Sequence, residues 1–381
     1  MGGDMTGRQK IEAAFSAEGT PAFGAVTCYQ GIFLRDHWEQ VTDSPWWALE
    51  SPDPAAAAKP WSDMLRKTEE DWFTLRIGLP RRRRSEIAIE VTPRGVFRVN
   101  RATGERKEIS RPPIGGHQPK GSGWRPPAIG VKDTSELDAL IPTQTASPEG
   151  PDDGRFDLPR ILLEEFGGEK LPFMHTATPF WRCHALWGFE ELMRGLIEFP
   201  DLIRHACRRF RDMAVAEIHE ASLAGAAAIW IEECMTDMIS PAQYREFVLP
   251  DVRDLTDAIR GAGMFSIHYY CGDPATRWDI LLQTGADAIA LEEGKKGFKI
   301  DIEEIVERVA GRMTVFGNLD AVGVLERANE NGLRREIERQ CRAGRKNRSR
   351  FVMSIGSPVT PATPPDRVRL YCNIVREVGT R

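Results

Sequence analysis

No apolar run in this 381-residue chain approaches the roughly 18 residues that a membrane-crossing helix needs, so no such span is expected. The opening residues, MGGDMTGRQKIEAAF, lack the apolar core of a secretory signal peptide, and a cytoplasmic protein is expected. An excess of positive charge is missing too. Lys and Arg number 51 against 56 Asp and Glu, a net charge of −5. Without a positive field to gather phosphates, nucleic acid is not an expected partner. The one dense basic run, Arg81 to Arg84, reads as a solvated edge. Paired cysteines are also absent. Cys28, Cys183, Cys207, Cys234, Cys271, Cys341 and Cys372 are odd in number and scattered, which suits thiols rather than a disulfide framework. Most are expected as small core residues, leaving one or two as metal ligands. There is no Gly-x-Gly-x-x-Gly after the first apolar segment, no phosphate loop, no Ser–His–Asp motif, no zinc knuckle and no internal repeat.

What is present is an alternation of short apolar segments and amphipathic stretches. Residues 5–17 place Ile11, Ala14 and Phe15 on one helical face. FGAVTCY at 23–29 reads as a buried strand. Further strands are expected at 173–177, 227–231, 265–269, 288–291, 314–316 and 351–354, with helices between them. Glycines at 225, 263, 285 and 311 close those helices. Repeated strand–helix units imply a parallel sheet. The fold class is α/β, a (β/α)8 barrel of the TIM type with one strand not located, and a doubly wound sheet is the alternative. Residues 1–381 are read as one barrel domain, with 30–160 as an inserted cap and hairpin. Within it, the Trp- and Pro-rich 30–80 reads as irregular, and the period-two alternation of 86–110 reads as a β-hairpin or small meander. Residues 111–127 and 143–157 read as loops.

In a parallel barrel, functional groups sit where strands run into loops. Those positions hold Tyr29, Glu232, Glu233, His268, Tyr270, Cys271, Glu292, Glu293, Asn318, Asp320 and Ser357. Imidazole and thiolate are both good zinc ligands, so His268 and Cys271 are the candidate metal pair, with Glu292 as a third donor. Adjacent strand residues face opposite ways, so one of Glu232 and Glu233 points inward; Glu233 is taken as the acid/base candidate. Asn318 is the candidate for orienting the reacting group. Tyr29, Phe180, Tyr270, Asp320 and Ser357 are the candidates for contacts with substrate.

Several stretches resemble the uroporphyrinogen decarboxylase superfamily and its barrel-fold methyltransferases: MTGRQKIEAAFSAEGTPAFG, GFEELMRGLIEFPDLI, SPAQYREFVLPDVRDL, IHYYCGDP, GNLD and IGSPVTPATPPDRVRLYCNIV. The resemblance covers roughly 170–380 and the first strand. True decarboxylases of the family are metal-free and grip a polycarboxylate with an arginine-rich motif after the first strand. Here that region, VTCYQGIFLRDHW, holds one arginine, Arg35, and Gly356-Ser357-Pro358 replaces a final Gly-His-Gly turn. The methyltransferase branch holds zinc with His-x-Cys and a distant Cys. His268 and Cys271 match that pair with one extra residue between them, and Ser357 stands at the distant Cys. The resemblance therefore implies a zinc-dependent methyltransferase, moving a methyl group between a small methylated substrate or thiol and a corrinoid held by a separate protein. No Asp-x-His-x-x-Gly motif is present to bind corrinoid directly. The alternatives are a metal-free decarboxylase of a smaller acid and a non-catalytic partner of a corrinoid protein. A homodimer is the oligomer the resemblance suggests.

Overall fold

The computed structural model describes residues 5–116, 131, 133–141, 152–294 and 297–380. The loops expected at 117–127 and 143–151 lie outside the described residues. The strands are β1 (Ala25–Val26), β2 (Trp72–Thr74), β3 (Ile87–Thr92), β4 (Gly95–Asn100), β5 (Arg106–Ile109), β6 (Leu171–Ala177), β7 (Ala228–Cys234), β8 (Phe265–Cys271), β9 (Ala288–Leu291), β10 (Thr314–Phe316) and β11 (Phe351–Ser354). Eight of them form a parallel sheet in the order β1-β11-β10-β9-β8-β7-β6-β2. Helices alternate with these strands, and the sheet curls into a nearly closed (β/α)8 barrel. The β1–β2 seam is held largely by side chains. Asp71 donates its N–H to the Ala25 carbonyl (2.9 Å) and accepts the Ala25 N–H on Oδ2 (2.7 Å). Glu70 Oε2 accepts from the Thr27 N–H (2.8 Å) and hydroxyl (2.6 Å).

The strand missing from the sequence reading is β2, inside the stretch read as irregular. That reading of 30–80 is corrected: it also contains helices at Gln30–Asp36 and Pro54–Thr68. Three residues, Trp-Phe-Thr, are too short to show a period, and all three are buried. The expected meander is present as β3, β4 and β5, an antiparallel sheet outside the barrel. Helix Gly7–Phe15 buries Ile11, Ala14 and Phe15 on the expected face. Gly225 and Gly263 end their helices at φ 89° and 76°, the left-handed conformation that glycine adopts without steric cost. Among the described residues, no helix is long and apolar enough to cross a membrane.

The barrel interior is an aromatic stack. Trp72 lies 3.8 Å from Phe173 and 5.8 Å from Phe316, centroid to centroid. Trp230 lies 5.0 Å from Tyr269 and 6.1 Å from Phe316. Strands β2 and β10 are not neighbours, nor are β7 and β10, so these rings meet across the barrel axis. That fixes the facing of every nearby residue, because side chains alternate along a strand. With Trp230 and Tyr269 inward, Glu232 and Cys271 are inward as well. Ile231, Glu233, His268 and Tyr270 face outward, towards the helices.

Candidate active site at the barrel mouth

A cavity of about 480 Å³ opens at the C-terminal ends of β1, β2, β6 and β7, lined among others by Tyr29, Trp61, Arg76, His175 and Glu232. Tyr29 follows β1 at φ 59°, a left-handed conformation that a bulky residue adopts at a cost. This backbone turn delivers its hydroxyl to Glu232, donating to Oε1 at 2.9 Å. Burial first, and the Glu232 charge second, push the Tyr29 phenol well above its usual 10, so it remains a donor at neutral pH. Tyr29 stacks on His175 (5.6 Å) and meets Tyr269 edge-on (5.9 Å). The Arg76 guanidinium lies 5.9 Å from the centroid of the Trp61 ring.

His175 is half-buried in this cavity. Burial first, and the nearby Arg76 charge second, lower its imidazole to about 4. Below pH 6.5 the unfolded chain therefore takes up a proton that the folded chain refuses until about pH 4. The stability difference is fully present above 6.5 and declines as pH falls from 6.5 towards 4. His175→Gln is expected to flatten that part of the profile, read from urea midpoints between pH 4.5 and 7.

The other candidates fall into three places. Tyr29 lines the cavity. Glu233, His268 and Tyr270 stand behind the barrel wall, which corrects their assignment to the reacting site. Glu233 is fully buried and accepts from the Thr236 hydroxyl (2.5 Å), the Tyr244 hydroxyl (3.0 Å) and His268 Nε2 (2.9 Å). Tyr244 belongs to the outer helix Pro241–Phe247. Among the described residues His268 Nδ1 is buried without a hydrogen-bond partner, and Tyr270 lies 6.4 Å from the His268 ring. The remaining candidates belong to the far rim or the core. Asn318 donates Nδ2 to the Glu292 and Ile300 carbonyls (3.2 and 2.9 Å), so it ties loops together. Asp320 caps the turn at 321–326 through the Val322 and Gly323 N–H groups. The Ser357 hydroxyl donates to Glu293 Oε2 (2.6 Å), and Phe180 is buried in the hydrophobic core.

The expected zinc set does not fit these residues. His268 and Cys271 are three apart on one strand and so face opposite sides of the barrel wall. A His-x-Cys spacing would share a face, but the residue two before Cys271 is Tyr269, whose hydroxyl donates to the Gly356 carbonyl (2.9 Å). Glu292 lies near enough to the inward Tyr269 for its charge to help push that phenol up. Among the described residues, no three His, Cys, Asp or Glu side chains are grouped to hold a metal ion. The sequence reading missed Arg76 and counted Trp61 only within the Trp-rich stretch 30–80. It placed Glu232 on the rim without choosing it. Parity with Trp230 marks Glu232 as inward only once Trp230 is seen to meet Phe316 across the axis.

Comparison with known proteins gives three findings. The family profile described as Uroporphyrinogen decarboxylase (URO-D) matches residues 132–378. Uroporphyrinogen decarboxylases from Thermus thermophilus and Pelobacter propionicus are 26% and 23% identical over 224 and 231 residues. Each match covers 59% of this chain, and 58% and 65% of those proteins respectively. The chain thus spans less than two thirds of the length of these curated relatives. A methyltransferase from Methanosarcina mazei superposes with a TM-score of 0.65 at 16% identity, covering 98% of this chain and 99% of that one. That likeness is one of fold. Tyr29, Trp61 and Arg76 lie outside the profile match, whereas His175 and Glu232 lie inside it.

Proposed function

Since the chain belongs to the uroporphyrinogen decarboxylase (URO-D) family through residues 132–378, we propose that it is a barrel enzyme working at the Tyr29–Glu232 couple. The reaction is transfer of a methyl group from a small methylated donor to an acceptor carried by a separate corrinoid protein. The observation that carries this reading is a carboxyl group oriented by a phenol inside an open cavity. When the donor's bond between methyl carbon and heteroatom breaks, the electron pair stays on the heteroatom, which then takes a proton. Glu232, once it has taken up a proton from solvent through the open mouth, delivers it, and Tyr29 holds the carboxyl group in one orientation. A corrinoid on the partner would supply the nucleophile that accepts the methyl carbon. Held on its own protein, it would meet the donor at the open mouth of the cavity. This reading routes no step through zinc, since His268 reaches Glu233 and faces away from Cys271. The whole-chain overlay on a methyltransferase supports the choice of reaction.

The test is to incubate the chain with a reduced corrinoid protein and a panel of methylated amines, alcohols and aromatic ethers. Absorbance of the corrinoid reports methyl transfer, which is expected with at least one donor. Turnover that persists in Glu232→Gln would remove the couple from the mechanism. A second reading, metal-free decarboxylation of a small acid, is favoured by the Arg76 guanidinium at the same cavity. It predicts CO2 release from such an acid and no dependence on corrinoid.

A further inference from the structure

The mouth cavity adjoins a second one of about 510 Å³ between the barrel and the inserted sheet. Gly31, Trp61, Arg76 and Ile77 line both. Four guanidiniums line the second cavity: Arg35, Arg76, Arg84 and Arg98. Three have carboxylate partners. Arg35 pairs with Asp36 (2.8 Å), Arg84 with Asp157 and Arg98 with Glu50. Arg76 differs from them. Among the described residues no carboxylate pairs with it and no oxygen accepts from it; its contact is the face of Trp61. Trp61 is 2% exposed, so the surface on which the guanidinium rests is fixed by the core. A guanidinium resting on an aromatic ring keeps its five N–H donors available in a planar fork, and that fork matches the two oxygens of a carboxylate.

We propose that Arg76 is the anion-recognition end of the substrate site, so that the substrate is a small carboxylate with a flat apolar body. Its carboxylate takes the Arg76 fork, its body lies along Tyr29 and His175, and its reacting end reaches Glu232. The cavity volume limits it to a compact molecule. His175 stays neutral at neutral pH, so Arg76 supplies the positive charge at this wall. This inference rests on the Tyr29–Glu232 cavity being the substrate site. It adds the substrate class and holds for either reaction proposed there.

The test titrates benzoate and its uncharged isostere benzamide into the full chain, following tryptophan fluorescence. Wild type is expected to bind benzoate about tenfold more tightly than benzamide. Arg76→Met is expected to weaken benzoate about tenfold, leaving benzamide binding and the unfolding midpoint unchanged. Arg76→Lys should recover part of the loss, since it restores the charge without the fork. Equal binding of the two probes, no benzoate binding by wild type, or full benzoate binding by Arg76→Met would each overturn the proposal. Binding is read without turnover. A chain that holds benzoate through Arg76 but transfers no methyl group retains this inference and loses the reaction assigned above.

Discussion

Glu232→Gln is expected to lower turnover about 10²–10⁴-fold, the range in which a positioned proton donor contributes. The amide keeps the size of the carboxyl group, and its oxygen can still accept the Tyr29 hydroxyl now held at 2.9 Å. The fold and the cavity shape should therefore survive, and the unfolding midpoint should match wild type. What disappears is the exchangeable proton. The effect is expected in kcat, with KM little changed, because Glu232 acts on the leaving heteroatom rather than on the bound ground state. A matching loss of stability would mean that Glu232 holds the barrel together, and a shift in KM alone would mean that it binds substrate.

Its neighbour is expected to behave in the opposite way. Glu233→Ala should destabilise the chain by about 3–5 kcal/mol, as removing one partner of a buried charged network does. Three donors converge on this carboxylate, from Thr236, Tyr244 and His268, and none of them has water to turn to. Arg277 lies next to the same cluster, with its guanidinium 5.8 Å from the Tyr244 ring centroid and its Nη2 donating to the Ile239 carbonyl (3.2 Å). The network ties β7 and β8 to the outer helix Pro241–Phe247. Urea unfolding measures the loss directly. His268→Ala should fall in the same direction, since it removes one of the three donors to the buried Glu233 carboxylate. A Glu233→Ala protein of wild-type stability would contradict the assignment of this cluster to the fold.

The barrel was legible because its later strands are bounded by turn residues. The strands at 288–291, 314–316 and 351–354 were read with the ends they have, and those at 173–177 and 265–269 lie inside longer ones. The second strand was not legible. Trp72–Thr74 has three residues, and what makes it a strand is pairing with Leu171–Phe173, almost a hundred residues away. The rim of the barrel was legible as a set of positions, but the facing of each side chain was not. Glu232 and Glu233 are equivalent in sequence. They separate only because Trp230 meets Phe316 across the axis, a contact between strands that are not neighbours. His268 and Cys271 were drawn together by closeness in sequence. A spacing of three on a strand places them on opposite faces, however, and the aromatic stack decides which is inside. Arg76 was missed because it follows the strand that was missed.

Zinc titration of the wild-type chain beside His268→Ala and Cys271→Ala tests most directly the claim that the chemistry lies inside the barrel wall and His268 behind it. Any zinc affinity of the wild-type chain is predicted to be the same in His268→Ala, because that imidazole reaches Glu233 and not Cys271. One tightly held zinc per chain, lost equally in both variants, would contradict the facing of β8 and the site built upon it.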